Sequence, residues 1–122
     1  MHLVEPKAES VGESRALFLF SDQGLPRPLA QYAIRLLTGE TVWVDFAWPE
    51  YKVIVEFDGM AKYHRFRRPG ESVEDMVMRE KRREDMVREA SGWIVIRLTW
   101  QDLRTPVSTA LRIRRAMAAA AV

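Results

Sequence analysis

The pattern of hydrophobic and polar positions predicts helices and strands in alternation along the chain. Apolar residues recur at helical spacing in residues 10–23 and 73–90. Residues 42–48 and 51–57 are instead rich in β-branched and aromatic side chains, which favours two strands, and residues 29–37 indicate a strand before them. The middle of the chain is therefore expected to form a three-stranded sheet between two helices.

Two serines indicate where the predicted helices begin. Ser10 is followed three residues later by Glu13, a spacing typical of a capping box in which the glutamate reaches back to the cap amide. Residues 1–9 are therefore expected to be a flexible lead-in. Ser72 stands in the same way before the second helix, with Asp75 three residues later.

A nearly continuous apolar stretch, residues 93–98, follows Gly92 and predicts a strand that is covered on both faces. A strand reached through a helix usually pairs in parallel with its sheet. Thr105 and Pro106 then predict the start of a last helix, as cap and first residue. The sequence thus predicts an α/β fold with a central mixed sheet flanked by helices.

The composition agrees with one soluble domain, expected to span residues 10–122. The chain has 122 residues, of which 48% are hydrophobic and 30% charged. It contains no cysteine, which excludes disulfides and thiolate zinc sites and agrees with a cytoplasmic location. No stretch approaches the roughly 20 apolar residues of a membrane span, so no membrane contact is expected.

The two central strands are expected to form a hairpin closed at Pro49, which presets φ for a turn. With a loop of two residues, or of four about the same centre, Trp48 would face Tyr51 and Asp45 would face Ile54. A three-residue loop would instead move Asp45 to the opposite face of the sheet.

Three carboxylates share one face of the sheet in the predicted register: Asp45, Glu56 and Asp58. Unpaired carboxylates on a half-buried face repel one another, so a proton, a basic side chain or a cation is needed between them. Hard oxygen ligands without cysteine suit Mg²⁺ or Mn²⁺. In the alternative interpretation, Glu56 and Asp58 mark a solvated strand end, and Asp58 with Gly59 simply forms a turn.

A basic and aromatic loop, residues 60–71, follows the acidic strand. Its basic residues alternate with aromatic ones, as in loops that contact phosphates and stack on bases. The residues concerned are Lys62, Tyr63, His64, Arg65, Arg67 and Arg68. Lys62 could stabilise a pentacovalent phosphate or polarise a water molecule, and His64 could act as general acid or base. A merely solvated basic loop is the alternative.

Glu80 lies in the middle of the apolar stripe of the second helix. A carboxylate in that position must be paired, neutral or directed at the active site. Pairing with Arg83, or with Arg97 from the next strand, would form a buried network that holds the sheet carboxylates in place.

A resemblance to a nuclease superfamily is carried by five short matches: Asp45, Glu56 to Gly59, Glu80 to Asp85, Gly92 with Trp93, and Arg97 to Leu103. The chain from about residue 11 to residue 103 is similar to the Vsr-like branch of the PD-(D/E)XK nucleases. That branch includes the nuclease-like C-terminal domains of actinobacterial AbiEi-associated proteins.

The resemblance implies a restriction-endonuclease-like αβββαβα core that hydrolyses phosphodiester bonds of DNA. It also implies that Asp45 and Glu56 bind the metal and that Glu13, on the first helix, assists. Two positions differ from the family pattern. Asp58 stands where the superfamily usually has lysine, and Lys62 stands where many members of the branch have histidine.

The sequence therefore predicts a metal-dependent DNA endonuclease-like domain. A catalytically inactive nuclease-fold module that binds DNA or a protein partner is the alternative, and a regulator of the immunity or antitoxin kind is a third hypothesis. A homodimer, a separate DNA-targeting partner and a toxin or antitoxin partner all remain open.

Overall fold

The computed structural model describes residues 6–59 and 68–120. The strands are β1 (Leu29–Arg35), β2 (Thr41–Trp48), β3 (Val53–Phe57) and β4 (Ile94–Leu98). The helices are α1 (Pro6–Asp22), α2 (Val73–Ser91), α3 (Trp100–Leu103) and α4 (Pro106–Ala120).

The four strands form one mixed sheet in the order β1-β2-β3-β4. The pairs β1–β2 and β2–β3 are antiparallel, whereas β3 and β4 are parallel. The predicted α/β fold with a mixed sheet between helices is confirmed. None of the helices in these two described ranges is long and apolar enough to cross a membrane.

Both faces of the sheet are buried, against different helices. The first core lies under α1, α3 and α4 and contains Phe20, Phe46, Trp48, Phe57 and Ile113. The Phe20 ring meets Phe46 and Trp48 edge to face, with centroids 5.4 and 5.1 Å apart. The second core lies under α2 and contains Ile34, Val44, Ile54, Val87 and Val95. The sheet is thus covered on both sides, as the apolar character of β4 predicted.

The start of α1 differs from the prediction. The helix begins at Pro6, so Ser10 lies inside it and the predicted capping box is wrong. Proline suits the first turn of a helix because it lacks a backbone N–H and has a fixed φ. The predicted lead-in is therefore helical over residues 6–9, and residues 1–5 lie outside the described part of the chain.

The ends of α2 follow the prediction closely. The Ser72 side chain accepts a hydrogen bond of 3.0 Å from the Asp75 backbone N–H. Gly92 closes the helix in the left-handed region, with φ of 71°, and donates its N–H to the Arg88 carbonyl. These caps place α2 across the face of the sheet that carries Ile54.

The turn between β2 and β3 spans residues 49–52, so its centre lies one residue later than predicted. Pro49–Tyr51 form a 3-10 turn, and Lys52 closes it with φ of 56°. Trp48 therefore pairs with Val53 rather than facing Tyr51. The shift is two residues, and because side chains alternate with period two, every side chain of β3 keeps its predicted face.

Candidate functional site

Asp45 lies where the side chains of β2 change from one face of the sheet to the other. Val44 belongs to the core under α2, whereas Phe46, two residues later, belongs to the core under α1. Regular alternation would place both on one face, so the strand must twist sharply at Asp45. Gln31, opposite Asp45 in the β1–β2 register, has φ of 48°, in the left-handed region. Both strands are thus irregular at the same point.

The Asp45 carboxylate accepts a hydrogen bond from a backbone N–H of β3 that would otherwise go to the backbone of β2. The β2–β3 ladder ends at Phe46. Asp58 donates its N–H to the Leu98 carbonyl at 2.7 Å, towards β4, so the N–H of the preceding residue, Phe57, points towards β2. It donates to Oδ2 of Asp45 at 2.8 Å. Asp45 is therefore fixed beside the last residues of β3.

Glu56 is the most deeply buried acid of the site, with 5% of its surface exposed. It alternates with Val55 and Phe57 and therefore points towards α2. Arg83 of α2 donates from Nη1 to Glu56 Oε1 at 3.2 Å, and from Nη2 to the Trp43 carbonyl at 3.1 Å. One guanidinium thus contacts the side chain of β3 and the backbone of β2.

Asp58 belongs to a second ion-pair network on the same face. Arg97 of β4 donates from Nη1 to Asp58 Oδ2 at 3.1 Å and from Nε to Glu84 of α2. Glu84 also pairs with Arg88, one helical turn later. Burial opposes the charged forms of Glu84 and Arg97. Burial is the largest single effect, but the hydrogen bond between them and the attraction of neighbouring opposite charges together outweigh it, so the pKa of Glu84 is lowered and the pKa of Arg97 is raised.

One acid of the network was not predicted. Glu80 lies 3.7 Å from Arg79, measured from Oε2 to Nη1. Glu84, one turn further along α2, is the acid that contacts Arg97. Sequence reasoning missed Glu84 as a site residue. The signal that pointed to it was the spacing of four residues between Glu84 and Arg88, which favours an ion pair on a helix.

Glu13 approaches the sheet from the other side. It lies on α1, next to Gly12, and α1 packs on the face that carries Phe57. Glu56 and Asp58 point to the opposite face, towards α2. The structure therefore brings Asp45, Glu56 and Asp58 together at one strand end and places Glu13 on a helix across the sheet.

The basic loop is described only at its two ends. Residues 60–67 lie outside the described part of the chain, and the predictions for Lys62, Tyr63, His64, Arg65 and Arg67 fall there. At one end, Gly59 directly follows Asp58.

At the other end of the loop, Arg68 is exposed and donates its backbone N–H to Glu71 at 2.9 Å. Arg79 also bonds to Glu71, and its hydrogen bonds, followed by that of Arg68, lower the pKa of Glu71 to about 2. The loop thus leaves the sheet at the acidic cluster and returns at an ion pair that includes α2.

The donors of the site match a hard cation in type. In residues 6–59 and 68–120, no three acids, histidines or cysteines are grouped as ligands of one metal ion. Mg²⁺, however, usually takes only one or two protein carboxylates, with water and substrate phosphate as its other ligands. Asp45 and Glu56, on adjacent strands, supply two carboxylates of the type that Mg²⁺ takes. The fit is therefore that of a two-carboxylate site and not of a closed cage.

A cavity of about 530 Å³ lies away from the acids, between α1 and the start of α4. Its lining includes Val11, Arg15, Phe18, Leu103 and Pro106. None of the three sheet carboxylates lines it. The acidic site at the strand ends is thus separate from this cavity.

Comparison with known proteins gives two similar chains. The uncharacterized proteins MT2308 and Rv2248 of Mycobacterium tuberculosis are each 36% identical to this chain over 110 residues. The match covers 89% of this chain but 37% of each relative, so the chain spans little more than a third of their length. No protein-family model and no solved structure matches the chain.

Proposed function

We propose that this chain is a metal-dependent DNA endonuclease-like domain that hydrolyses phosphodiester bonds. One observation carries the proposal: Asp45 is drawn to the end of β3 by its 2.8 Å hydrogen bond with Phe57, next to the buried Glu56. Two carboxylates held together at a strand end repel each other unless a cation or a basic group offsets their charge. Asp45 and Glu56 are the proposed metal ligands, as the resemblance implies.

The protein's own groups prepare this site. The Phe57 N–H orients the Asp45 carboxylate, and Arg83 fixes the Glu56 carboxylate. A Mg²⁺ or Mn²⁺ ion bound there would activate water and neutralise charge on the scissile phosphate. Asp58 is proposed to complete the site directly or through water, and Glu13, whose helix lies on the other side of the sheet, to assist through water.

The DNA would lie along the basic loop that starts directly after the acidic strand. Tyr63 is proposed to stack on a base, while Arg65, Arg67 and Arg68 contact phosphates. Lys62 is proposed to polarise the attacking water or stabilise the phosphate, and His64 to transfer a proton. Arg68, at the described end of the loop, has an exposed side chain.

A cleavage assay of supercoiled plasmid and single-stranded DNA tests the proposal. Asp45→Asn is the sharpest variant because it keeps a side-chain oxygen for the Phe57 N–H while removing the charge. Glu50→Gln, an exposed acid in the turn of the same hairpin, is the matched control. We expect cleavage with Mg²⁺ or Mn²⁺ by the wild type and the control, and its loss in Asp45→Asn and in EDTA.

A second candidate is a catalytically inactive nuclease-fold module that binds DNA or a protein partner. It is favoured by the ion pairs of the site, because Arg83 and Arg97 already offset the charges of Glu56 and Asp58. A protein partner of the immunity or antitoxin kind would belong to the same class.

DNA binding separates the two candidates. The inactive module predicts salt-dependent binding of DNA that persists in Asp45→Asn and is lost when Arg65, Arg67 and Arg68 are all changed to glutamine. It also predicts that no divalent ion gives cleavage by the wild type. Cleavage that depends on Asp45 would exclude it.

A further inference from the structure

The two strands that carry Asp45 and Glu56 part from each other at the site. Their backbone ladder ends with the pair Phe46 and Val55, although both strands continue beyond it. Side chains then replace backbone hydrogen bonds between the strands. The Phe57 N–H donates to Asp45, which is one such replacement.

Arg83 makes a second side-chain link between β2 and β3 in place of backbone hydrogen bonds. Its Nη2 donates to the Trp43 carbonyl of β2 at 3.1 Å, and its Nη1 contacts Glu56 of β3 at 3.2 Å. The two contacts use two arms of one planar guanidinium, so the distance between its acceptors is set by the geometry of that group. Arg83 therefore links the two strands where the ladder no longer does.

We infer that Arg83 is a positioning residue that fixes the separation of Asp45 and Glu56 by bridging β2 and β3. The inference rests on the proposed function in so far as those two carboxylates are metal ligands. It goes beyond that function because it assigns the geometry of the pair to a helix residue that would not itself bind the metal.

Lysine distinguishes positioning from simple charge compensation. Arg83→Lys keeps a positive charge for Glu56, which is 5% exposed and costly to leave uncompensated. A single ammonium group, however, does not reproduce the rigid fork that reaches the Trp43 carbonyl and Glu56 together. The variant should therefore fold while the two strands lose their fixed separation.

The test measures amide hydrogen exchange by NMR in the metal-free full chain and Mn²⁺ affinity by calorimetry. In Arg83→Lys we expect the Phe57 amide to exchange about tenfold faster, because its bond to Asp45 depends on the strand separation. The Val53 amide belongs to the Trp48–Val53 pair, at the end of the ladder far from the site, so it should keep its wild-type rate and serves as the internal reference. The affinity for Mn²⁺ should fall about tenfold.

Arg82→Lys is the control, since Arg82 is the exposed neighbour on the same helix and should give wild-type values. The inference would be overturned if the Phe57 amide of Arg83→Lys exchanged at the wild-type rate. If the wild type binds Mn²⁺, an unchanged Mn²⁺ affinity in Arg83→Lys would also overturn it. If the wild type binds no Mn²⁺, the proposed metal site fails, and the Phe57 amide alone decides whether Arg83 holds the strands.

Discussion

Neutralising Glu84 should lower the free energy of unfolding more than neutralising most other charged side chains. Its side chain is 13% exposed and contacts Arg97, which is 25% exposed, and Arg88, which is 44% exposed. A hydrogen bond between charged groups is worth about 1.5–3 kcal/mol where water is largely excluded, as with Arg97. The more exposed Arg88 pair adds about 0.2–1 kcal/mol. Glu84→Gln should therefore lower the free energy of unfolding by about 2.5 kcal/mol at pH 7.

The pH dependence of this loss follows from the lowered pKa of Glu84. A carboxyl group whose pKa is lower in the folded state stabilises the protein above its unfolded pKa, and the contribution is lost as pH falls through the folded value. The difference between wild type and Glu84→Gln should thus be complete at neutral pH. It should shrink as pH falls below the ordinary glutamate value of 4.5.

Urea denaturation, followed by circular dichroism at pH 7 and at several values below pH 4.5, measures both effects. Glu89→Gln is the control, because Glu89 is an exposed glutamate on the same helix. It should change the free energy of unfolding by less than about 0.5 kcal/mol. A loss below about 1 kcal/mol in Glu84→Gln at pH 7, or a loss that does not shrink in acid, would refute the reasoning.

Three further predictions concern other parts of the fold. Gly12→Ala should destabilise the chain by about 1–3 kcal/mol in urea denaturation, because a Cβ there would lie 2.3 Å from the buried Phe57 ring; unchanged stability would contradict the packing. Gln31→Gly should raise the free energy of unfolding by up to about 1 kcal/mol, since glycine tolerates φ of 48°, and a loss would show that the position is not strained. Glu71, with its pKa of about 2, should stabilise the fold above pH 4.5 and lose that contribution as pH falls towards 2. The melting temperature of Glu71→Gln should therefore fall less than that of the wild type over this pH range. Identical pH profiles of the melting temperature would exclude the effect.

The helix caps and the alternation of side chains along the strands could be predicted from neighbouring residues in the sequence. Ser72 and Gly92 cap α2 because their side-chain and backbone properties suit helix ends whatever the surroundings. The alternation of β3 predicted the correct face for Glu56 even though the centre of the turn lies one residue later than expected, because this displaces the register by two residues, an even number.

Other features depend on contacts that the sequence pattern does not contain. Ser10 and Glu13 match a capping box, but Pro6 provides an earlier start and the helix extends to it. The twist at Asp45 requires Gln31 on the neighbouring strand to adopt a left-handed conformation, which no local pattern indicates. Arg97 pairs with Glu84 because of where the end of β4 lies along α2. That position is determined only when the helix packs on the sheet.

The most direct test of the proposed function is single-turnover cleavage of a labelled DNA oligonucleotide over a range of Mg²⁺ concentrations, by the wild type, Asp45→Asn and Glu56→Gln. If the two carboxylates hold the catalytic ion, the wild type cleaves only with Mg²⁺, and each variant folds but cleaves at least about 100-fold more slowly. Cleavage by either variant within twofold of the wild-type rate, or a wild type that does not cleave at any Mg²⁺ concentration, would contradict the account.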